Sequence, residues 1–209
     1  MRTAKTVLTV IQERGKQKKP IERVYKLLFN RELYLNAYAK LYPNNGAMTK
    51  GVTDETVDGM SIQKIDRMIE ILREEKYQWK PARREYIKKK NGKKRPLGIP
   101  VWGDKVLQEV MRQILEAYYE PQFSEHSHGF RPNRGCHTAL QEIQVWKGTR
   151  WFIEGDISQY FDTIDHKILL EILARNIHDG RFIRLVSNML EAGYLEEWKF
   201  NQTISGVPQ

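Results

Sequence analysis

An α+β chain is what these 209 residues predict, on three observations. Apolar side chains recur three or four apart over residues 21–42, 62–72 and 107–118, the period of helices with one buried face. An Asn-Gly dipeptide at 91–92 lies between two β-prone runs, the strongest two-residue hairpin signal because both turn positions need φ > 0. A run of large apolar residues from Trp151 to Ile157 reads as a buried strand.

The elements follow in order. The amino terminus carries Arg2 and Lys5 but no secretory core, because Val7 to Ile11 is broken by Thr9 and followed by Gln12, Glu13 and Arg14. Gly15 to Lys19, ending at Pro20, reads as a short basic linker. Ile21, Val24, Tyr25, Leu28, Leu33, Tyr34 and Tyr38 then mark helical structure, which Asn30 could split in two as an N-cap. Pro43-Asn44-Asn45-Gly46 ends it, and a loop runs to Gly59. Ser61 is placed to cap the next helix, whose face is Ile62, Ile65, Ile69 and Leu72. After the hairpin, Asp104 is expected to cap a helix with Leu107, Val110, Met111, Ile114 and Tyr118 on one face, stopped by Pro121. A loop to Gly135, a helix around His137 to Trp146 and the Trp151 strand follow. Asp165 and Asp179 are the expected N-caps of helices over 166–177 and 181–192. A last strand is expected near Trp198 to Ile204.

Nine Lys and Arg residues fall between Lys80 and Arg95 against one acid, Glu85, so the hairpin region carries +8 of the formal +9. Charge so concentrated is the footprint of a phosphate-binding surface, since each cation that meets a phosphate releases condensed counterions. The single cysteine, Cys136, excludes an internal disulfide framework and fits a reducing compartment. No apolar run approaches the roughly 20 residues that span a bilayer, so no membrane partner and a cytoplasmic location are expected. His126, His128, Cys136 and His137 are metal-ligand types, but their spacing matches no common zinc pattern. Asp156, at the end of the expected strand, is well placed to hold Mg²⁺, a hard cation that takes one or two carboxylates plus substrate phosphates. The alternative is an ordinary strand-end Asp that accepts backbone N–H bonds. Asp162 and Asp165 are better explained as turn and cap residues.

Four segments in this order carry a resemblance. They are Lys88-Lys89-Lys90-Asn91-Gly92-Lys93-Lys94-Arg95-Pro96-Leu97-Gly98-Ile99-Pro100, His128-Gly129-Phe130-Arg131-Pro132, Glu154-Gly155-Asp156 through Phe161-Asp162-Thr163-Ile164-Asp165-His166, and Gly206-Val207-Pro208-Gln209. The series resembles the motifs of group II intron-encoded reverse transcriptases (maturases) over at least residues 80–209. Residues 21–79 resemble the amino-terminal extension of that family. The resemblance implies reverse transcriptase-like fingers with a basic β-hairpin and an incomplete palm, divided as 1–79 (helical extension and fingers), 80–148 (fingers with hairpin and template loop) and 149–209 (partial palm).

The resemblance also implies roles. Asp156 becomes the first metal-binding aspartate of the palm, with Ile157 beside it in the metal set. Phe161 becomes the aromatic gate against a ribose 2′-OH; without the resemblance it reads as a core aromatic. Lys89 and Arg95 become ligands of the nucleotide triphosphate, with Lys88 an alternative to Lys89 because this sequence has Lys where the family often has Pro. Gln209 would touch the nucleotide or primer end. Lys88, Lys93 and Lys94 with Phe130, Arg131 and Arg134 would hold RNA, although a structural loop anchored by Pro132 explains any one of the last three equally well.

The expected function is that of part of an RNA-directed DNA polymerase that binds intron RNA and aids splicing and retrohoming, with Mg²⁺ as cofactor and RNA template and DNA primer as partners. The family's Tyr-x-Asp-Asp hairpin has no counterpart in these residues, so the expectation is a truncated chain that is inactive alone and self-associates through an unpaired strand edge. Two other readings stay open: an RNA-binding splicing cofactor without polymerase activity, and another bacterial reverse transcriptase of the retron or diversity-generating type.

Overall fold

The structure is a computed structural model that describes residues 2–88, 92 and 94–206. Its first helix, Ala4–Lys16 (α1), is one that the apolar pattern did not announce. Only Ala4, Ile11 and Gly15 of it are buried, too thin a stripe to read as periodicity, and Thr3 caps it by accepting from Thr6 N at 3.2 Å. Strand Ile21–Glu22 (β1) precedes a 3₁₀ turn at Val24–Phe29 where an α-helix was expected. The turn starts from Arg23 in the left-handed region (φ 55°), and Tyr25 N donates to the Asp179 carboxylate at 2.9 Å instead of to an upstream carbonyl.

Asn30 does begin a second helix, Arg31–Leu41 (α2), accepting from Glu32 N at 3.0 Å. Ser61 caps Ile62–Arg73 (α3), which buries Ile65, Ile69 and Leu72; Ile62, at the first helical position, stays exposed. Ala82–Lys88 (β2) and Lys94–Ile99 (β3) form the antiparallel hairpin. Gly92 takes φ 77° at its turn, while Asn91 lies outside the described residues. Trp102–Tyr119 (α4) follows, then Cys136–Gln144 (α5), the short Tyr160–Thr163 (α6), His166–Ala174 (α7), Ile177–His178 (β4), Gly180–Leu190 (α8), Tyr194–Glu196 (β5) and Lys199–Asn201 (β6). Asp165 and Asp179 cap α7 and α8 by accepting from Ile168 N and Arg181 N.

The strands form two sheets. β1 pairs parallel with β4, and a four-stranded sheet runs in the order β3-β2-β5-β6, with β2 and β5 parallel. The final strand is therefore the outer arm of a second hairpin, shorter than the span expected from Trp198 to Ile204. The core is helical. α4 packs on α1 and α2 and buries Val106, Leu107, Val110, Ile114 and Tyr118 in one cluster with buried residues of α3, the 3₁₀ turn and, from α8, Phe182 and Leu190.

Two expectations are corrected. Residues 151–157 form no strand, and Trp151, Phe152 and Ile153 are 87%, 71% and 94% exposed. A strand needs a neighbour for its backbone N–H and C=O groups, and no strand among the described residues pairs with this segment. Asp104 is not the cap of α4, which begins at Trp102 after Val101. Its carboxylate is buried within the first turn and accepts from Tyr77 Oη at 2.6 Å and Lys80 N at 3.0 Å, tying the chain before β2 to α4.

Burial raises the Asp104 pKa against the opposing pull of those two hydrogen bonds and of Lys80. A raised folded pKa means that the folded chain holds the proton more tightly. The contribution of Asp104 is thus most favourable below its unfolded pKa and is lost as pH rises through the folded one. Asp104→Ala leaves a buried hydroxyl and a backbone N–H unpaired, and urea unfolding at neutral pH is expected to show a loss of about 2–4 kcal/mol. The deficit relative to wild type widens as pH falls toward the unfolded pKa; an unchanged midpoint would show that the tie is unimportant.

Candidate nucleotide and RNA interface

The hairpin sorts its cations by the pleat. Residues directly opposite in an antiparallel pair share a face and neighbours along a strand alternate. Lys88 faces Lys94, Tyr86 faces Pro96 and Arg84 faces Gly98, all on one side; Arg95 faces Ile87 on the other, with Arg83, Glu85 and Leu97. Pro96 is tolerated because β3 is the edge of its sheet. Like charges directly opposite each other destabilise a sheet, so the exposed Lys88 and Lys94 are placed for an outside anion. Lys94 Nζ also lies 6.0 Å from the centre of the Tyr86 ring, whose hydroxyl donates to Glu196 at 2.5 Å.

Arg83 and Arg84 serve the fold. Arg83 donates to Lys50 O at 3.1 and 2.9 Å and pairs with Glu85. The Arg84 guanidinium stacks 3.8 Å from the centre of the Tyr194 ring, which fastens β2 to β5. Two members of the cluster are thus structural, a division that the charge count could not show. Lys89, Lys93 and Gln209 lie outside the described residues.

The Asp156 segment is an open turn. Asp156 and Ile157 are exposed, and Gln159, in the left-handed region at φ 51°, bends the chain into α6. Asp156, Ile157, Tyr160, Phe161 and Asp162 line one depression. Phe161 is half-exposed with its ring edge-on to Tyr160 at 5.3 Å, so it is no core residue here. Among the described residues no three His, Cys, Asp or Glu side chains converge to hold a metal. A single open carboxylate suits Mg²⁺ arriving with substrate phosphates.

Gly206 reaches this segment from 40 residues downstream of His166. Its N–H donates to Ile164 O at 2.9 Å, and Ser205 Oγ donates to Asp162 O at 3.2 Å. Its φ is 86°, and a Cβ would fall 2.9 Å from Phe161 O and 3.1 Å from Asp162 O, so only glycine fits. Asp162, Ser205 and Gly206 form one wall of a cleft whose other wall is Arg84, Pro96 and Gly98 at the base of the hairpin. The structure thus brings together three of the segments that the sequence singled out. It does not bring Arg95 to the face that lines this cleft.

The fourth segment is a loop held by its own arginine. Arg131 was expected on RNA, yet its guanidinium is 8% exposed and turned inward. It donates to Glu120 at 2.9 and 3.0 Å, to Ser124 O at 2.6 Å and to Ser127 O at 2.8 Å. That is the structural alternative, with ion pair and carbonyls in place of the Pro132 anchor. Phe130, at φ 56°, is fully exposed at the tip, and Arg134 donates to Glu125 O. His126 and His128 both meet Glu142 of α5, and their hydrogen bonds hold its carboxyl below the usual range. His128 Nδ1 also lies 2.8 Å from Thr138 Oγ1. Sequence reasoning missed Glu120, Glu142 and Tyr194, partners that no local pattern marks.

Arg131→Ala leaves Glu120 and two loop carbonyls without their donor. Limited proteolysis is expected to cut within 123–135 at least about tenfold faster, the scale of losing charge-assisted hydrogen bonds. Arg134→Ala is expected to leave cleavage near wild type; equal cleavage in both variants would refute the anchoring role of Arg131.

The family described as reverse transcriptase (RNA-dependent DNA polymerase) matches residues 87–209. The chain is 50% identical over 189 residues to the group II intron-encoded protein LtrA of Lactococcus lactis subsp. cremoris, covering 90% of this chain and 32% of that protein. It is 46% identical over 214 residues to an uncharacterized 91 kDa protein in the cob intron of Schizosaccharomyces pombe, covering 99% of this chain and 26% of that one. It is 38% identical over 200 residues to protein YkfC of Escherichia coli, covering 90% and 52%. The chain therefore spans about a third or less of the first two relatives. The match takes in the Asp156 segment, the Gly206 segment and β3, and the chain belongs to the reverse transcriptase (RNA-dependent DNA polymerase) family, as a relative of its group II intron-encoded members.

Proposed function

We propose that these residues are part of an RNA-directed DNA polymerase that binds intron RNA, aids its splicing and copies it in retrohoming, within a ribonucleoprotein in the bacterial cytoplasm. The observation that carries this reading is the meeting of the Phe161–Ile164 backbone with Gly206 across a cleft from the hairpin base. Asp156 lies in the neighbouring depression, which shares Asp162 with this cleft, and the hairpin face that lines the cleft carries Lys88 and Lys94 farther out. The regions 1–79, 80–148 and 149–209 then act as extension, fingers and the first part of a palm.

Each residue has a task in that reading. Asp156, with Ile157 beside it, would hold Mg²⁺, which supplies charge neutralisation at the transferring phosphoryl group. Phe161 stands under the sugar and excludes a 2′-OH. Lys89 and Arg95 are assigned the triphosphate, with Lys88 the alternative because it, unlike Arg95, is on the hairpin face that lines the cleft, and Gln209 meets the nucleotide or primer end. RNA falls to Lys88, Lys93 and Lys94 of the hairpin, together with Phe130 and Arg134 on the loop shaped by Arg131. Exposed Trp151, Phe152 and Ile153 favour self-association.

Primer extension on an RNA template by the longer intron-encoded protein tests the enzyme reading. Asp156→Ala is expected to lower the rate by about a thousandfold or more, as for loss of a principal electrostatic group, while Phe161→Ala extends primers and accepts ribonucleotides more readily. Full activity in Asp156→Ala would end the proposal. The 209-residue chain alone is expected to give only background extension, because two-metal catalysis needs a converging set of ligands and, among the described residues, no three His, Cys, Asp or Glu side chains converge.

Binding to RNA is independent of those carboxylates. With about five cations on phosphates, log affinity against log salt is expected to slope at roughly −3.5 to −4.5. Replacing Lys88, Lys89, Lys93 and Lys94 by Ala flattens that slope and weakens binding to all RNAs alike, whereas Ala at Lys16, Lys18 and Lys19 changes it less. A slope unmoved by the hairpin changes would make the cluster a solvated face. RNA binding intact in a longer protein that extends no primer would favour the splicing-cofactor reading.

A further inference from the structure

His166 is the first residue of α7, directly after the Asp165 cap, and none of the tasks above uses it. Its Nε2 lies 2.6 Å from Gly206 O. A carbonyl only accepts, so this nitrogen carries the proton and donates. The neighbouring N–H of the same glycine donates to Ile164 O at 2.9 Å, and the missing side chain lets it rest on Phe161 O and Asp162 O. Gly206 is buried and is held through its donor, its acceptor and its absent Cβ by one six-residue stretch, 161–166.

We propose that His166 is a positioning residue: its hydrogen bond to Gly206 O sets the spacing between Phe161 and Gly206, and so the shape of the nucleotide site. The aromatic ring and the downstream segment come from opposite ends of a 45-residue excursion through α7, α8 and the second hairpin, a path that by itself allows much freedom. Backbone contact at Ile164 limits separation of the two segments; the side-chain bond from His166 adds the second point that limits rotation. The consequence for nucleotide binding rests on the polymerase reading, whereas the clamp stands on the contacts themselves.

Two measurements separate these. Amide hydrogen exchange in the 209-residue chain, read at Gly206, is expected to accelerate about tenfold in His166→Ala, the scale of one net hydrogen bond. In His166→Gln, whose side-chain N–H₂ can replace Nε2–H, it is expected to stay slow. In the longer polymerase, His166→Ala is expected to raise the KM for dNTP about tenfold with kcat changed less than about threefold, on the same scale, and His166→Gln to restore it. Unchanged Gly206 exchange in His166→Ala overturns the clamp whatever the activity. Accelerated exchange with an unchanged KM overturns the positioning role. A wild-type longer protein that extends no primer ends the polymerase reading and leaves the clamp to be decided by the exchange rates.

Discussion

The close approach of α1 to α4 is the constraint on which the rest of the molecule depends. A Cβ at Gly15 would lie 2.1 Å from Tyr118 O, a distance no side chain can occupy, so the two helices meet at backbone contact there. Tyr118 is fully buried and its hydroxyl donates to Lys19 O at 3.0 Å, fixing the chain where it leaves α1. Set in this way, α4 presents Val106, Leu107, Val110 and Ile114 to the other helices. Complete burial of each such side chain contributes about 1.5–3 kcal/mol. The hairpin inherits its position, because β3 ends at Ile99 and α4 begins at Trp102, with Asp104 tying the start of that helix to the chain before β2.

On that base the charged surface is built with a division of labour. Arg83 and Arg84 hold the root of the hairpin through the Lys50 carbonyl and the Tyr194 ring. Farther out, Lys88 and Lys94 oppose each other with no acid between them. Guanidinium suits the root, since it can fork to a carbonyl or lie flat on a ring, whereas the ammonium farther out is a point charge on a flexible stem. The 120–135 loop follows the same economy, with Arg131 spent on Glu120 and the fully exposed Phe130 left at its tip.

The Asp156 segment and Gly206 meet by backbone contact, which tolerates little displacement. His166 and Ser205 add side-chain bonds around a glycine that no other residue could replace without shifting Phe161 or Asp162. Earlier in the same motif region of the sequence, Trp151, Phe152 and Ile153 are in the open. Exposed apolar residues that stand together in this way are surface that further packing would cover.

By itself the sequence determined what depends on neighbours a few residues apart. Asn30, Ser61, Asp165 and Asp179 were legible as caps because a cap bonds within three residues, and the hairpin was legible because its turn is local. The motif residues Asp156, Phe161 and Gly206 were legible through a family resemblance carried by their order. Tertiary structure decided what depends on distant partners. The Trp151 run had the composition of a strand, but among the described strands it has no neighbour to bond. Asp104 looked like a cap and became a buried acceptor for Tyr77 and Lys80, while Arg131 looked like an RNA contact and became the anchor of its loop. α1 escaped notice because one thin stripe and a glycine bury it. The physical reason is common to all four: hydrogen-bond satisfaction and close packing are settled by whichever group arrives in space, and one-dimensional order records only those that arrive from nearby.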